Sequence, residues 1–387
     1  MSSYGKSVIF GNGSKIIGER INPTGKKKFK QALKDHDLDY ILKEDIDYIA
    51  KSNMIAWNML EGKSILITGA TGLIGSQIVF ALDQYNQLND GKIKIYALVR
   101  NVEKAEKIFE NHGEYVKVVV GDIRSAIAIE DEIDYIIHGA SMTSSKEFVD
   151  YPVETILTGM TGTDNVLRFA REKNVKSMVY LSSLEVYGVT DPDKKSVKEA
   201  EYGYIDQLVP RSSYSEGKRM AECLCISYGH EYGVPVKIAR LSQTFGPGVS
   251  YSDNRVFAQF ARCAIEGENI VLKTKGETFR NYCYIRDAIT GILCVLLKGK
   301  SNEAYNIANK ETGINICDMA HLVADNIAQK QINVVFDIAE DLSKFGYGPT
   351  IKIALDTDKI EKLGWKAEVG IKDAFERMIN SMRCSKC

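Results

Sequence analysis

The sequence has no excess of charge, no apolar run long enough for a membrane and no cysteine framework, and each absence removes a class of function. Lys and Arg number 50 against 51 Asp and Glu, a formal net charge of -1. Such a balance supplies no global field for gripping nucleic acid or an anionic membrane, so neither is expected as a partner. No apolar segment approaches the roughly 20 residues that cross a bilayer. Met1 to Lys15 lacks the continuous apolar stretch of a secretory signal. The eight cysteines are scattered through hydrophobic segments, as at Cys223, Cys225, Cys263 and Cys294. That usage predicts buried thiols in a reducing, cytoplasmic compartment. Cys384 and Cys387 form a lone C-x-x-C at the C-terminus. A zinc site needs four ligands, so no metal is expected. No internal repeat or low-complexity tract is evident.

What is present is a chain of 387 residues, 44% of them hydrophobic, enough for one large domain or two fused ones. Residues 1–45 read as an N-terminal extension: Asn22-Pro23-Thr24-Gly25 signals a turn, followed by the basic stretch Lys26–Lys30 and a charged, helix-compatible run to Asp47. The stretch Ile16 to Leu42, with Gly18-Glu19-Arg20-Ile21-Asn22, resembles the opening of the pterin-binding domain of cobalamin-dependent methionine synthases. Only the opening is there, and a barrel needs about 200 residues or more. Pterin chemistry is therefore not expected.

From Ser64 onward, short apolar runs alternate with helix-length segments. The runs are Ser64–Thr68, Ile93–Val99, Tyr115–Val120, Tyr135–His138, Met178–Leu181 and Val236–Leu241. Buried parallel strands joined by crossover helices produce this rhythm, which predicts an α/β, Rossmann-type doubly wound sheet over 46–245. Beyond Gly246-Pro247-Gly248 the rhythm loosens. Residues 246–383 read as a smaller, mainly substrate-binding region, with helices at Arg255–Gly267 and Ile316–Gln329 and a strand at 303–308 returning to the main sheet.

The first strand runs directly into Gly69-Ala70-Thr71-Gly72-Leu73-Ile74-Gly75 and then an apolar helix. Glycines permit the tight turn, the approach of backbone to a pyrophosphate and the packing of helix on strand. The helix N-terminus adds free N–H groups and a positive dipole end. Gly69, Thr71, Gly72, Leu73, Ile74 and Gly75 are thus candidate cofactor contacts. The second strand ends in Arg100 where an NAD site usually carries a carboxylate for the ribose hydroxyls. A guanidinium can clamp a 2′-phosphate, so NADP is a candidate beside NAD. Tyr214-Ser215-Glu216-Gly217-Lys218 places Tyr and Lys on one helix face. A phenol titrates at about 10, too high for a base at neutral pH, and a neighbouring ammonium and the positive nicotinamide ring favour the phenolate and lower that value.

With its Gly-x-x-Gly-x-x-Gly spacing and this Tyr-Lys pair, the chain from about Lys63 to Met382 resembles the extended short-chain dehydrogenases/reductases that epimerise, dehydrate or decarboxylate nucleotide-sugars. The resemblance implies that Asp122 and Ile123 lie by the adenine, and that His138, Gly139, Ala140 and Ser141 lie beside the nicotinamide ribose. It implies that hydride passes from the sugar C4 to the nicotinamide, leaving a transient 4-keto form, with Ser183, Tyr214 and Lys218 as the catalytic set. Ser183 holds the reacting oxygen, Tyr214 takes its proton, and Lys218 orients the cofactor ribose. It further implies a homodimer formed through helices that include the Tyr214 helix.

The second step rests on Ser183-Leu184-Glu185. Glu185 is shared with dehydratases and UDP-glucuronate decarboxylases, but a dehydratase usually has Asp where Leu184 stands, and Leu cannot donate a proton. The motif Pro210–Arg219, Arg255-Val256 and Arg280 are similar to the decarboxylases, with Gln243, Arg255 and Arg280 as substrate contacts. The family's usual Asn is replaced by Gly159 in one position and by Gln243 in another. Decarboxylation is the first expectation, with 4-epimerisation or 4,6-dehydration as alternatives. A further alternative is NADPH-dependent reduction of a 4-keto sugar, and another is a catalytically dead Rossmann-fold sensor.

Overall fold

The computed structural model describes residues 15–16, 39–338 and 350–386. The basic stretch Lys26–Lys30 and most of the pterin-domain-like segment lie outside them. In chain order come β1 (Lys15–Ile16), α1 (Tyr40–Lys51), β2 (Ser64–Thr68), α2 (Leu73–Asn89), β3 (Lys94–Val99), α3 (Val102–Phe109), β4 (Val116–Val120) and β5 (Tyr135–His138). Then follow α4 (Ser145–Asp150), α5 (Pro152–Glu172), β6 (Ser177–Ser183), α6 (Ser212–Tyr232), β7 (Val236–Leu241), β8 (Gln243–Phe245), α7 (Val256–Glu266) and β9 (Ile270–Leu272). The remainder comprises β10 (Phe279–Tyr284), α8 (Ile285–Lys298), β11 (Ala304–Ile307), β12 (Asn309–Asn315), α9 (Ile316–His321), β13 (Val334–Phe336), β14 (Lys352–Ile353), α10 (Asp358–Glu361) and α11 (Ile371–Lys386).

The main sheet has the order β1-β4-β3-β2-β5-β6-β7-β11. Only β1 runs antiparallel, leaving a seven-stranded parallel sheet. Every residue of β2, β5 and β7 is buried, as expected of central strands covered on both faces. One face packs on α1, α2, α8 and α11 through residues such as Ile49, Ile78, Leu293 and Phe375. The other packs on α5 and α6 through Val166, Leu167, Ala221 and Cys225. The strand order reverses between β2 and β5, which opens a crevice at their carboxyl ends.

A smaller sheet joins β12, β10 and β14, with β8 also paired to β10. It stands beside the carboxyl end of β7, because β8 begins two residues after β7 ends. Helix α1 crosses residue 45, the expected end of the extension. Its Ile41, Ile46 and Ile49 face the core, and buried Asp45 accepts from Arg377 of α11 at 2.8 Å. No described helix is long and apolar enough to cross a membrane.

Candidate active site

The glycine loop has little room for side chains. Gly69 takes φ +71°, and a Cβ there would lie 2.9 Å from the Ala140 backbone nitrogen. A Cβ on Gly75 would lie 2.3 Å from the Gly69 carbonyl oxygen, so α2 packs on the turn only because that residue is glycine. Gly72 caps α2 without a side-chain hydrogen bond. The N–H groups of Leu73 and Ile74 belong to the first turn, which has no intrahelical partners to offer them. With partly exposed Thr71, they form an anion cradle at the crevice mouth.

Across the crevice lies the loop after β5. His138 is buried beneath it, with Nδ1 2.7 Å from Thr68 Oγ1 and Nε2 3.2 Å from Thr163 Oγ1. Burial, with Lys218 nearby, pushes its pKa down to about 3. His138 is therefore a neutral brace, while Gly139, Ala140 and Ser141 are partly exposed in the crevice. Asp122 is held by Arg124 at 2.7 to 3.1 Å, and this pairing keeps its carboxyl below the usual range, with Arg100 contributing. Arg100 itself is exposed. The Ile123 side chain is buried, and a Cβ on Gly162 of α5 would lie 2.4 Å from its Cδ1. These features fit a dinucleotide, the glycine cradle most directly.

The catalytic candidates meet at the carboxyl end of β6. Tyr214 and Lys218 lie one turn apart on α6, and Ser183 is close enough to the Tyr214 hydroxyl to favour its phenolate. Phe148 of α4 stacks on the Tyr214 ring with centroids 4.2 Å apart. Burial pushes the phenol well above its ordinary pKa, and Glu185 adds to this against Ser183, Arg211 and Arg255. The acidified phenol expected from the sequence is thus not a property of the protein alone. Lys218 is buried and donates to the Leu181 carbonyl at 2.7 Å, and its ammonium lies 5.8 Å from the Tyr214 ring centroid. Burial lowers its pKa to about 8 against the pull of Glu222.

Glu185 is not free. Arg211, in the turn before α6, binds it bidentately at 2.9 Å through both terminal nitrogens, and Ser215 donates to it at 3.1 Å. The Glu185 backbone N–H donates to Ser183 Oγ at 3.2 Å. Burial favours the protonated acid, but Arg211 and Arg280 outweigh it and hold the carboxyl below the usual range. The Arg280 side chain, on β10, thus senses Glu185, and its Nε is buried without a partner among the described residues. Arg255 caps α7, is paired with Asp253 at 2.6 Å, and still influences Tyr214. Gln243 opens β8, opposite Tyr282. A Cβ at Gly159 would meet nothing within 4 Å. Arg211, Ser215 and Phe148 were assigned no role from sequence. Arg211 and Ser215 are within the Pro210–Arg219 motif, whereas Phe148 carries no local signal.

Residues 65–308 match the model of the NAD dependent epimerase/dehydratase family. The chain is 30% identical over 327 residues to UDP-glucuronic acid decarboxylase 6 of Arabidopsis thaliana, covering 82% of this chain and 88% of that one. It is 29% identical to UDP-glucuronic acid decarboxylase 1 of Xenopus tropicalis, covering 83% and 72%. Its fold is similar to that of a UDP-glucose 4-epimerase from Thermotoga maritima, with a TM-score of 0.69 at 21% identity, covering 84% of this chain and 100% of that one. It is equally similar to a dTDP-glucose 4,6-dehydratase from Streptomyces venezuelae, with a TM-score of 0.69 at 24% identity, covering 83% and 97%. With a glycine cradle at the sheet reversal and a serine-tyrosine-lysine set beside it, the chain belongs to the NAD-dependent epimerase/dehydratase family of the extended short-chain dehydrogenases/reductases.

Proposed function

We propose that the protein decarboxylates a nucleotide-linked uronic acid, UDP-glucuronate being the first candidate, through a transient 4-keto sugar. One observation carries the reading beyond the family: Arg211 is paired with Glu185, Arg280 acts on that carboxylate from a distance and has no ion pair of its own among the described residues, and Arg255 is already paired with Asp253. The sugar end of the site therefore has one positive charge to spare, which suits an added carboxylate better than a neutral sugar.

A dinucleotide held by the glycine cradle would supply reversible hydride acceptance at C4. Ser183 holds the C4 oxygen, and Tyr214 takes the hydroxyl proton as the C4 carbonyl forms. Lys218 fixes the cofactor ribose. The resulting β-keto acid loses CO₂ as the C5–C6 bond breaks, and the electron pair passes into the C4–C5 enolate. A proton from solvent water then enters at C5, and Tyr214 returns its proton to the C4 oxygen as hydride goes back to C4. Glu185, ionised and clamped, serves as a fixed charge, and Leu184 offers no acid to expel a hydroxyl. This disfavours 4,6-dehydration, with 4-epimerisation the second reading.

Arg100 beside Asp122 supports NADP as an alternative to NAD. The exposed Val153, Ile156 and Leu157 of α5 and Met220 of α6 support a homodimer joined along these helices. Incubation with UDP-glucuronate, UDP-glucose, their N-acetylated relatives and dTDP-glucose, read by mass and NMR, tests the proposal. UDP-xylose with one CO₂ from UDP-glucuronate alone is expected. A product from a neutral sugar, with UDP-glucuronate untouched, defeats it.

A further inference from the structure

Beneath the candidate site, two successive residues of β6 are tied to two residues spaced one turn apart on α6. The Leu181 carbonyl accepts from Lys218 at 2.7 Å. The Ser182 hydroxyl donates to Glu222. The next residue, Ser183, lies beside Tyr214 and favours its phenolate. Glu222 lies one turn beyond Lys218, and helical geometry puts residues 214, 218 and 222 along one face. The second tie is anchored from the far side. Arg240 of β7, which pairs in register with Ser182, grips Glu222 through Nε at 3.0 and 3.2 Å and through its terminal nitrogen at 2.6 Å. Arg240 is 2% exposed and Glu222 is 5% exposed. A second Arg240 nitrogen donates to the Tyr187 hydroxyl at 3.0 Å and to the Glu199 carbonyl at 2.7 Å.

A buried ion pair of this kind offers no clear gain in stability over apolar packing. A positional and electrostatic task gives a reason for its placement. We propose that Glu222, held by Arg240, is the positioning residue of the proton-transfer set: it fixes the register of α6 on β6 and supplies the anion that keeps Lys218 protonated. The inference rests on the reading that Lys218 acts as an ammonium on the cofactor ribose. Lys218 has no carboxylate within hydrogen-bonding distance among the described residues, so Glu222 is the anion next to it on its helix. The other groups facing Lys218 contribute no formal charge. His138 of β5 is held neutral by burial, and burial raises the Tyr180 phenol of β6, the Tyr214 phenol and the Cys225 thiol.

The test compares the pH dependence of NAD affinity, followed by protein fluorescence from pH 6 to 10, in the wild type and in Glu222→Gln and Arg240→Gln. Loss of the Lys218 charge gives the wild type an alkaline limb that Lys218→Met lacks. Glu222→Gln moves its midpoint down by roughly half a pH unit or more, because the supporting anion is gone. Arg240→Gln moves it up, because Glu222 is no longer neutralised. Loosening alone would shift both variants the same way. No wild-type limb, no displacement, or displacement in one common direction overturns the inference. If either variant fails to fold, Ser182→Ala decides. It cuts the strand tie without touching charge, so kcat on UDP-glucuronate falls roughly tenfold or more with KM and midpoint unmoved, and an unchanged kcat is the overturning result. Failure of the wild type to turn over UDP-glucuronate would remove the proposed reaction, and the opposed midpoint shifts would still decide the role of Glu222.

Discussion

At the scale of single residues, the phenol of Tyr214 is held protonated by burial and by the carboxylate of Glu185, while Ser183 and two guanidiniums pull the other way. The balance makes the group an acid that becomes a base only when further positive charge arrives beside it. Tyr214→Phe is therefore expected to lower the rate on UDP-glucuronate by about 10³-fold, within the range of positioned acid–base groups. NAD affinity should change little, and initial rates with a parallel binding titration check both. Arg100 makes a finer prediction. Arg100→Ala should weaken NADP binding and spare NAD, and equal affinities before and after the change would remove its role. Arg211 shows where reading residues one by one stops. Its place in the motif was visible, but its bidentate hold on Glu185 depends on two segments meeting.

At the scale of elements, the β2–α2 turn and helix α1 make opposite cases. The turn was legible because its constraint is local: a helix can begin so close to a strand only over glycines. Gly75→Ala brings a Cβ to 2.3 Å from a backbone oxygen, so the turn must open. NAD affinity should fall more than tenfold, a loss of about 1.4 kcal/mol or more, measurable by calorimetry. Helix α1 read as charged and peripheral, yet it buries Asp45 against Tyr284, Arg286 and Arg377. Burial raises the Asp45 carboxyl to about 6 against these partners. A carboxyl with a raised folded pKa binds more protons folded than unfolded, so its contribution is fullest in acid and declines as pH rises from about 4 to above 6. Melting temperatures of wild type and Asp45→Asn at pH 4 and pH 8 check this. The variant should gain on the wild type by roughly 2 kcal/mol across that window.

At the scale of the whole molecule, α5 and α6 cover one face of the sheet and leave Val153, Leu157 and Met220 outward. Substituting Leu157→Glu together with Met220→Glu should shift a dimer to monomers in light scattering while preserving the helical circular dichroism. An unchanged mass would remove the proposed interface. The doubly wound parallel sheet was legible in the sequence, whereas the strand order that opens the crevice came from the tertiary structure. Short continuous apolar runs, β-branched strands and glycine punctuation act within one strand–helix unit and need no distant partner. The serine, tyrosine and lysine set was legible for the same reason, each member lying in a short motif. The chain's own residue order does not say that Glu185 is clamped, that His138 is a brace below the loop after β5, or that Arg240 reaches Glu222 through the sheet. Those states depend on burial and on charges brought together from separate strands and helices. Only the folded arrangement sets the distances and the desolvation that decide them.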